Sequence, residues 1–156
     1  MNRLRTALSR YTSSPAQKFA FFVGFVYVLT GTAGFALIAL GHFPLLPRAT
    51  LVIFGVNPLH NALHFVVGVV WILAASSLAN AKRANIAIVL AFGTLTILGL
   101  LRLLGFLGVS GISDPDNFLH LASAALALYF ATVGSEATYS SDPKVGVKPR
   151  TIADQW

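Results

Sequence analysis

The chain has 156 residues, of which 56% are hydrophobic and only 10% are charged, with a formal net charge of +6 and no cysteine. Soluble domains carry roughly a quarter charged residues, and a chain this short cannot bury so much apolar surface inside a water-soluble globule. The composition therefore indicates a membrane protein and excludes disulfides and cysteine-ligated metals. The basic residues flank apolar runs, where they would meet anionic lipid headgroups, so the charge does not predict nucleic-acid binding.

The first segment, residues 1–18, is polar and basic, and Leu4, Leu8 and Tyr11 recur in it at helical spacing. The pattern predicts a cytoplasmic amphipathic segment on the membrane surface, with a frayed basic tail as an equal alternative. Pro15 is expected to mark the start of the next helix, because proline is favoured at the first helical position.

The membrane domain is predicted over residues 19–133, with four helices at about 19–40, 57–78, 86–106 and 114–133. The first apolar run carries no charge and exceeds the roughly 20 residues that a spanning helix needs. Small residues at Ala16, Ala20 and Gly24 favour close helix packing. Asn57 and Asp114 are expected N-caps, since each precedes a proline.

The connections and the tail are predicted from their prolines and their polarity. Pro44 and Pro47 break any helix between 41 and 56, and this apolar loop is expected to lie at the interface over one end of the bundle. Residues 134–156 are polar and predict a flexible cytoplasmic tail.

The basic residues are divided unevenly between the two ends of the predicted helices. Only Arg48 and Arg102 belong to one side. The nine on the other side are Arg3, Arg5, Arg10, Lys18, Lys82, Arg83, Lys144, Lys148 and Arg150. The positive-inside rule then places both termini in the cytoplasm, with the chain in a bacterial cytoplasmic membrane or another internal membrane.

A short internal repeat relates the second and fourth helices. The block H-N-A-L-H-F at 60–65 aligns with D-N-F-L-H-L at 116–121. The matched pairs are Asn61 with Asn117, Leu63 with Leu119 and His64 with His120. The fold class predicted is all-α: a four-transmembrane-helix bundle of two parallel helix-pair repeats, related by an axis along the membrane normal.

The run F-G-V-N-P-L-H-N-A-L-H-F-V-V-G-V at 54–69 resembles the signature of a family of small bacterial four-helix integral membrane proteins. That family is an uncharacterised domain of unknown function with an F-G-x-N-P-x-H-N-x-x-H block, and D-N-F-L-H-L is similar to its second block. The resemblance covers nearly the whole chain apart from the two tails. It implies four membrane helices and supplies no activity that can be transferred.

The candidate site is a polar cluster at the extracytoplasmic starts of the second and fourth helices. Its members are Asn57, His60, Asn61, His64, Asp116, Asn117 and His120. His64 lies about 10 Å and His120 about 9 Å along the axis from their caps, at a rise of about 1.5 Å per residue. The two imidazoles are therefore expected to face each other at matched depth.

Three functions for this cluster stay open. It can bind a ligand, with His64 and His120 holding a transition metal, haem or a chlorophyll-type pigment, and His60, Asp114 or Asp116 assisting. Alternatively, its polar groups satisfy the connection's backbone and dock the two halves, which is the interpretation that the sequence favours. Contact with lipid, quinone or solute is the third.

The leading prediction is a non-enzymatic integral membrane protein that acts as an accessory or scaffold subunit of a larger membrane assembly. It requires no cofactor, and its partners are the lipid bilayer and either another membrane protein or a second copy of the chain. A metal- or tetrapyrrole-binding protein is the first alternative. A small-solute transporter is the second, and it is weaker because no helix carries a charge near its midpoint.

The topology is testable with a reporter fused after Trp156. We expect cytoplasmic activity only, because nine basic residues lie on that side of the predicted helices. An enzyme that is active only outside the cytoplasm serves as the paired reporter, and activity of that fusion would overturn the orientation.

Overall fold

The computed structural model of the chain describes residues 11–40, 49–109 and 111–132. This part is all-helical apart from one small hairpin, and it contains the four predicted helices. The elements in order are α1 Pro15–Ala39, β1 Ala49–Leu51, β2 Phe54–Val56, α2 Pro58–Ala74, α3 Leu78–Leu100, a 3-10 turn Gly105–Leu107 and α4 Pro115–Ala131.

The starts of three helices follow the capping signals in the sequence. The Ser14 side chain accepts the Gln17 N–H at 3.2 Å, and α1 begins at Pro15, the residue expected to mark its start, which is earlier than the predicted bound at about 19. Asn57 caps α2 by accepting the His60 N–H at 2.9 Å. Asp114 caps α4 in the same way, and both helices have proline at the first position.

The predicted bounds of α3 are wrong at both ends. The helix begins at Leu78, and the predicted turn at 79–85 forms its first two turns, because the Ser77 side chain accepts the Asn80 N–H and caps the helix. It ends at Leu100 and not at 106, since Arg102 adopts a positive φ of 62° that no helix continues through.

The other differences are smaller. α2 ends at Ala74 and α4 at Ala131, each earlier than predicted. The first connection, predicted as an irregular loop, contains β1 and β2, which pair antiparallel with Ala49 opposite Val56. The predictions for most of the N-terminal segment, for 41–48 and for the tail at 134–156 fall outside the described residues.

Helix α1 packs closely against α2 because glycines face each other across the interface. A Cβ atom built on Gly68 would lie 2.6 Å from the Gly24 carbonyl oxygen and 2.6 Å from the Val28 nitrogen. A Cβ on Gly31 would lie 2.7 Å from the Asn61 carbonyl oxygen. These distances show that the two backbones touch, as small residues permit between apolar helices.

An aromatic core joins the two helix pairs at mid-height. The rings of Tyr27 and Phe92 stack with centroids 5.4 Å apart, and Trp71 packs edge-on against both. The Trp71 indole N–H donates to the Asn85 side chain at 2.7 Å, so its buried donor is satisfied. The core therefore ties α1 and α2 to α3.

Many polar side chains are buried in the described structure, and many large apolar side chains outside the aromatic core are exposed. The buried polar residues are Ser14, Gln17, His60, Asn61, His64, Asn85, Thr96, Asp116, Asn117, His120 and Ser123. Phe22, Val70, Leu90 and Leu121 are more than half exposed, with one on each helix. Helices α1 and α3 are long and apolar enough to cross a membrane, and α2 is a shorter apolar helix.

The glycine contact between α1 and α2 predicts a stability difference between two glycine variants. Gly68→Ala should destabilise the protein by about 1–3 kcal/mol, because the new methyl group meets the backbone of α1. The measurement is thermal unfolding in detergent.

The matched control is Gly93→Ala in α3, where a Cβ atom meets nothing within 4 Å among the described residues. This change should be neutral or stabilise by up to about 1 kcal/mol, because alanine favours the helix. Equal losses in both variants would contradict the close packing.

Candidate functional site

Three histidines converge at the starts of α2 and α4. His60 and His64 lie on successive turns of α2, and His120 lies on α4. All three are buried, and one ring nitrogen from each lies within 4.8 Å of those of the other two. The closest pair is His60 Nε2 and His64 Nε2, at 3.0 Å. The structure thus brings together the two histidines predicted to face each other, with His60 beside them.

The orientation of the His60 ring is fixed by backbone carbonyls. Its Nδ1 lies 3.1 Å from the Gly55 oxygen and 3.0 Å from the Leu107 oxygen. Carbonyl oxygens only accept hydrogen bonds, so Nδ1 carries the proton and donates. In the neutral ring, Nε2 then presents its lone pair to the cluster. This is the arrangement that orients histidine ligands in metal sites.

Asp116 adds a carboxylate to the histidine cluster. Its side chain is 0% exposed, and its Oδ1 lies 3.9 Å from His60 Nε2. Neither of its carboxylate oxygens accepts a hydrogen bond of good geometry within the described part of the chain, although the Asp114 side chain lies within hydrogen-bonding reach. Asp114 lies near enough to act electrostatically on His60, Asp116 and His120, which adds further negative charge. A buried carboxylate without a partner is costly unless a cation or a donor meets it.

Two asparagines beside the histidines are held against glycines. The Asn61 amide lies where a Cβ on Gly34 would be, and the Asn117 amide lies in the same way against Gly99. Asn117 Nδ2 also donates to the Gly111 oxygen at 2.8 Å. These contacts pack the first turns of α2 against α1 and the first turns of α4 against α3. They position the histidines that follow.

The two connections close the cluster at the helix ends. Asn57 Nδ2 donates to the Phe106 oxygen at 2.7 Å, and a Cβ on Gly55 would lie 2.7 Å from the Gly108 oxygen. His60 bonds to carbonyls of both connections. The first connection therefore packs on the second, and His60 joins them. This agrees with the prediction that the first connection covers one end of the bundle.

Aromatic rings form the opposite wall of the cluster. The Tyr27 ring meets His64 edge-on with centroids 5.0 Å apart, and the Phe92 ring lies 5.1 Å from His120. The Tyr27 hydroxyl pairs with the Ser123 hydroxyl at 3.1 Å. The cluster thus lies between a polar cap and an apolar core, an environment in which a bound ion is shielded from bulk water.

A cavity of about 550 Å³ opens beside the histidines, between α2 and α3. His60, His64 and His120 all contribute to its wall, and the remaining wall is mainly apolar. A second cavity of about 150 Å³ touches His64 from the side of Tyr27. Asp116 does not line the larger cavity, which leaves the histidines accessible on one side and the carboxylate behind them.

The sequence predicted the polar cluster but missed part of its surroundings. All seven predicted residues lie at this end of the structure: Asn57, His60, Asn61, His64, Asp116, Asn117 and His120. Tyr27, Phe92 and the carbonyl of Leu107 were not predicted, since an apolar run gives no signal for ring contacts or carbonyl direction. The contacts of Gly34 and Gly99 could have been predicted from the sequence, because each glycine lies in the helix that precedes a polar block.

A family described as a domain of unknown function (DUF4383) matches residues 17–133. The chain belongs to this family. The resemblance seen in the sequence is thereby confirmed at the level of the family, and the match spans α1 to α4 together with the candidate site. No curated protein and no solved structure matches the chain.

The unpaired carboxylate predicts an effect of Asp116→Asn on stability. The change removes the charge and keeps the shape, so the metal-free protein should gain about 1–3 kcal/mol in the free energy of unfolding. Chemical unfolding in detergent with a chelator present measures it.

Asp114→Asn is the matched control for this measurement. Asparagine caps a helix about as well as aspartate, and the loss of the Asp114 charge relieves its repulsion on Asp116, so we expect a smaller gain in stability than in Asp116→Asn. A loss of stability in Asp116→Asn as large as that of a cavity mutation would show that the carboxylate already has a good partner.

Proposed function

We propose that this protein is an integral membrane protein that binds one transition-metal ion through His60, His64 and His120, with Asp116 as the fourth ligand. The observation that carries the proposal is the buried carboxylate of Asp116, which has no hydrogen-bond donor of good geometry in the described residues and lies beside His60, one of three clustered histidines. Neutral imidazole with one carboxylate suits zinc, copper, iron and nickel, so the chemistry indicates that group of ions.

The spacing of the ligand atoms supports a single ion. Metal–nitrogen bonds of about 2.0–2.1 Å place the ligand atoms of a tetrahedral site about 3.3 Å apart. His60 and His64 have their Nε2 atoms 3.0 Å apart, the three nitrogens lie within 4.8 Å, and Asp116 Oδ1 lies 3.9 Å from His60 Nε2. Asp116 Oδ1 is farther from His60 Nε2 than a tetrahedral site requires, so its side chain would have to move toward the nitrogens to bind the same ion.

The same spacing argues against haem or a chlorophyll-type pigment held between two histidines. In bis-axial ligation the macrocycle must pass between the two imidazoles. The ring centroids of His60 and His64 are only 4.3 Å apart, and His60 also lies 6.5 Å from His120. His60 is therefore packed against both imidazoles that would ligate the macrocycle, and this crowding favours the ion over the tetrapyrrole.

The inverted distribution of polarity supports insertion of all four helices into a bilayer. A membrane exposes apolar side chains and buries polar ones, which is the arrangement seen on α1 to α4. Helices α2 and α4 have 17 residues each, about 26 Å at a rise of about 1.5 Å, near the lower limit for spanning. We propose that the metal site lies on the extracytoplasmic side, because the starts of α2 and α4 are at the end of the helices with few basic residues.

The proposed two-repeat architecture has support in matching contacts. Gly34 holds Asn61 in the first helix pair, and Gly99 holds Asn117 in the second. His60 and Asp116 occupy the same position in the two aligned blocks, and their side chains approach to 3.9 Å. Metal ligands at aligned positions of two repeats fit an ion on the axis between them, as binding sites at repeat interfaces do.

The accessory or scaffold role and the absence of catalysis stay predictions. The bonds from His60 to Gly55 and Leu107 support a part of the structural interpretation, since they join the two connections. That interpretation leaves the Asp116 carboxylate without a hydrogen-bond donor of good geometry. A metal site accounts for the His60 bonds and for the buried carboxylate, because the carbonyls orient His60 as a ligand and the ion binds Asp116.

Metal binding is testable on the full chain purified from membranes. We expect about one Co²⁺ or Zn²⁺ per chain, because the three imidazoles and the carboxylate supply four ligands. His64→Ala and His120→Ala should each weaken binding at least about tenfold, as the loss of a ligand does. The measurement is elemental analysis after dialysis, with a visible spectrum to test for a tetrapyrrole.

His42→Ala removes the chain's remaining histidine and is the matched control, with full occupancy expected. A stoichiometry near zero for the unaltered chain would overturn the proposal, and so would equal occupancy in all three variants. A strong Soret band that is lost with His64 and His120 would favour the tetrapyrrole instead.

A further inference from the structure

The larger cavity has one polar end and a long apolar body. His60, His64 and His120 form the polar end, together with Phe92 and Leu107 on the cavity floor. The apolar body is formed by Leu63 and Val67 of α2 and by residues of α3 from Leu90 to Leu95. Its volume of about 550 Å³ falls within the usual range of about 300–1,000 Å³ for small-molecule sites.

The cavity opens between α2 and α3, on the apolar outer surface. Leu63 and Leu90 on its rim are 42% and 68% exposed, and both side chains face outward. Ala91 and Thr94 are also exposed on the rim. In a bilayer this opening faces lipid, so a molecule entering by this route must first dissolve in the membrane.

The histidines present their accessible side to the cavity, while Asp116 lies outside its lining. An ion held by these four residues would therefore have its protein ligands on one side and the cavity on the other. A four-coordinate ion of this kind can expand to five ligands, so a water or a substrate atom can bind on the cavity side as the fifth ligand. Oxygen donors suit the ions that imidazole and carboxylate select.

We propose that the cavity binds a lipid-soluble molecule with an oxygen donor at one end of an apolar body, such as an alkyl quinone, with that oxygen on the metal ion. The inference rests on the metal site proposed above and adds the class of its ligand. The apolar body packs against Val67 and Leu95, and the oxygen lies between His64 and His120. A water-soluble ligand of the same size would leave its polar groups unpaired against this wall.

The test uses the Co²⁺-loaded full chain in detergent, because the visible absorption of Co²⁺ reports its coordination. A short-chain alkyl benzoquinone should bind at one per chain and change the Co²⁺ spectrum. An alkylbenzene of the same chain length should leave that spectrum unchanged, because it has no oxygen to donate. Ligand binding is measured separately from the spectrum, by equilibrium partition of the quinone.

Two tryptophan variants of α3 separate the cavity from the metal site. Ala91→Trp fills the cavity from its rim and should weaken quinone binding about tenfold or more, with Co²⁺ still bound at one per chain. Ile97→Trp is the matched control, since Ile97 is 60% exposed on the same helix and does not line the cavity. It should retain both quinone and Co²⁺.

The outcomes distinguish this inference from the proposed function. Co²⁺ bound at one per chain with no spectral change on adding quinone would overturn the ligand and leave the metal site standing. Absence of Co²⁺ binding would overturn the metal site and the proposed ligand together. Equal quinone binding by Ala91→Trp and Ile97→Trp would show partition into detergent or a different site, and would overturn the cavity as the binding place.

Discussion

The buried carboxylate of Asp116 is the constraint on which the account of this protein depends. It lies 3.9 Å from a ring nitrogen of His60 and has no hydrogen-bond donor of good geometry in the described residues. An isolated buried charge costs several kcal/mol, so the carboxylate is stable at this place when a proton, a hydrogen-bond donor or a cation neutralises it. His60, His64 and His120 bring one ring nitrogen each within 4.8 Å of the others, and an ion bound there beside Asp116 would neutralise the carboxylate.

The helix packing brings these groups together and holds them. Glycine contacts allow α1 to touch α2, and the Gly34 and Gly99 positions receive the asparagines that precede His64 and His120. The carbonyls of the two connections then fix His60. The polar groups lie at the seam between the helix pairs, and the outer surface of the helices stays apolar. A substitution at Gly34 or Gly99 is therefore expected to displace the histidines.

The sequence predicted the helices and the composition of the site because both carry local signals. Asn57-Pro58 and Asp114-Pro115 mark helix starts, and the aligned blocks placed His64 and His120 at matched depth. The start of α3 was not predicted because Ser77 stands among other small residues and does not stand out as an N-cap. In addition, the polar residues around Lys82 and Arg83 are typical of a turn. The unpaired state of Asp116 and the cavity depend on the direction of side chains from different helices, which no local pattern records.

X-ray absorption spectroscopy of the Zn²⁺-loaded protein tests the central claim most directly, because it reports the atoms around the ion. The account predicts three imidazole nitrogens and one or two oxygens at about 2.0–2.2 Å from the zinc, with one oxygen lost in Asp116→Ala. A first shell of oxygens alone, or a spectrum that His64→Ala and Asp116→Ala leave unchanged, would contradict it.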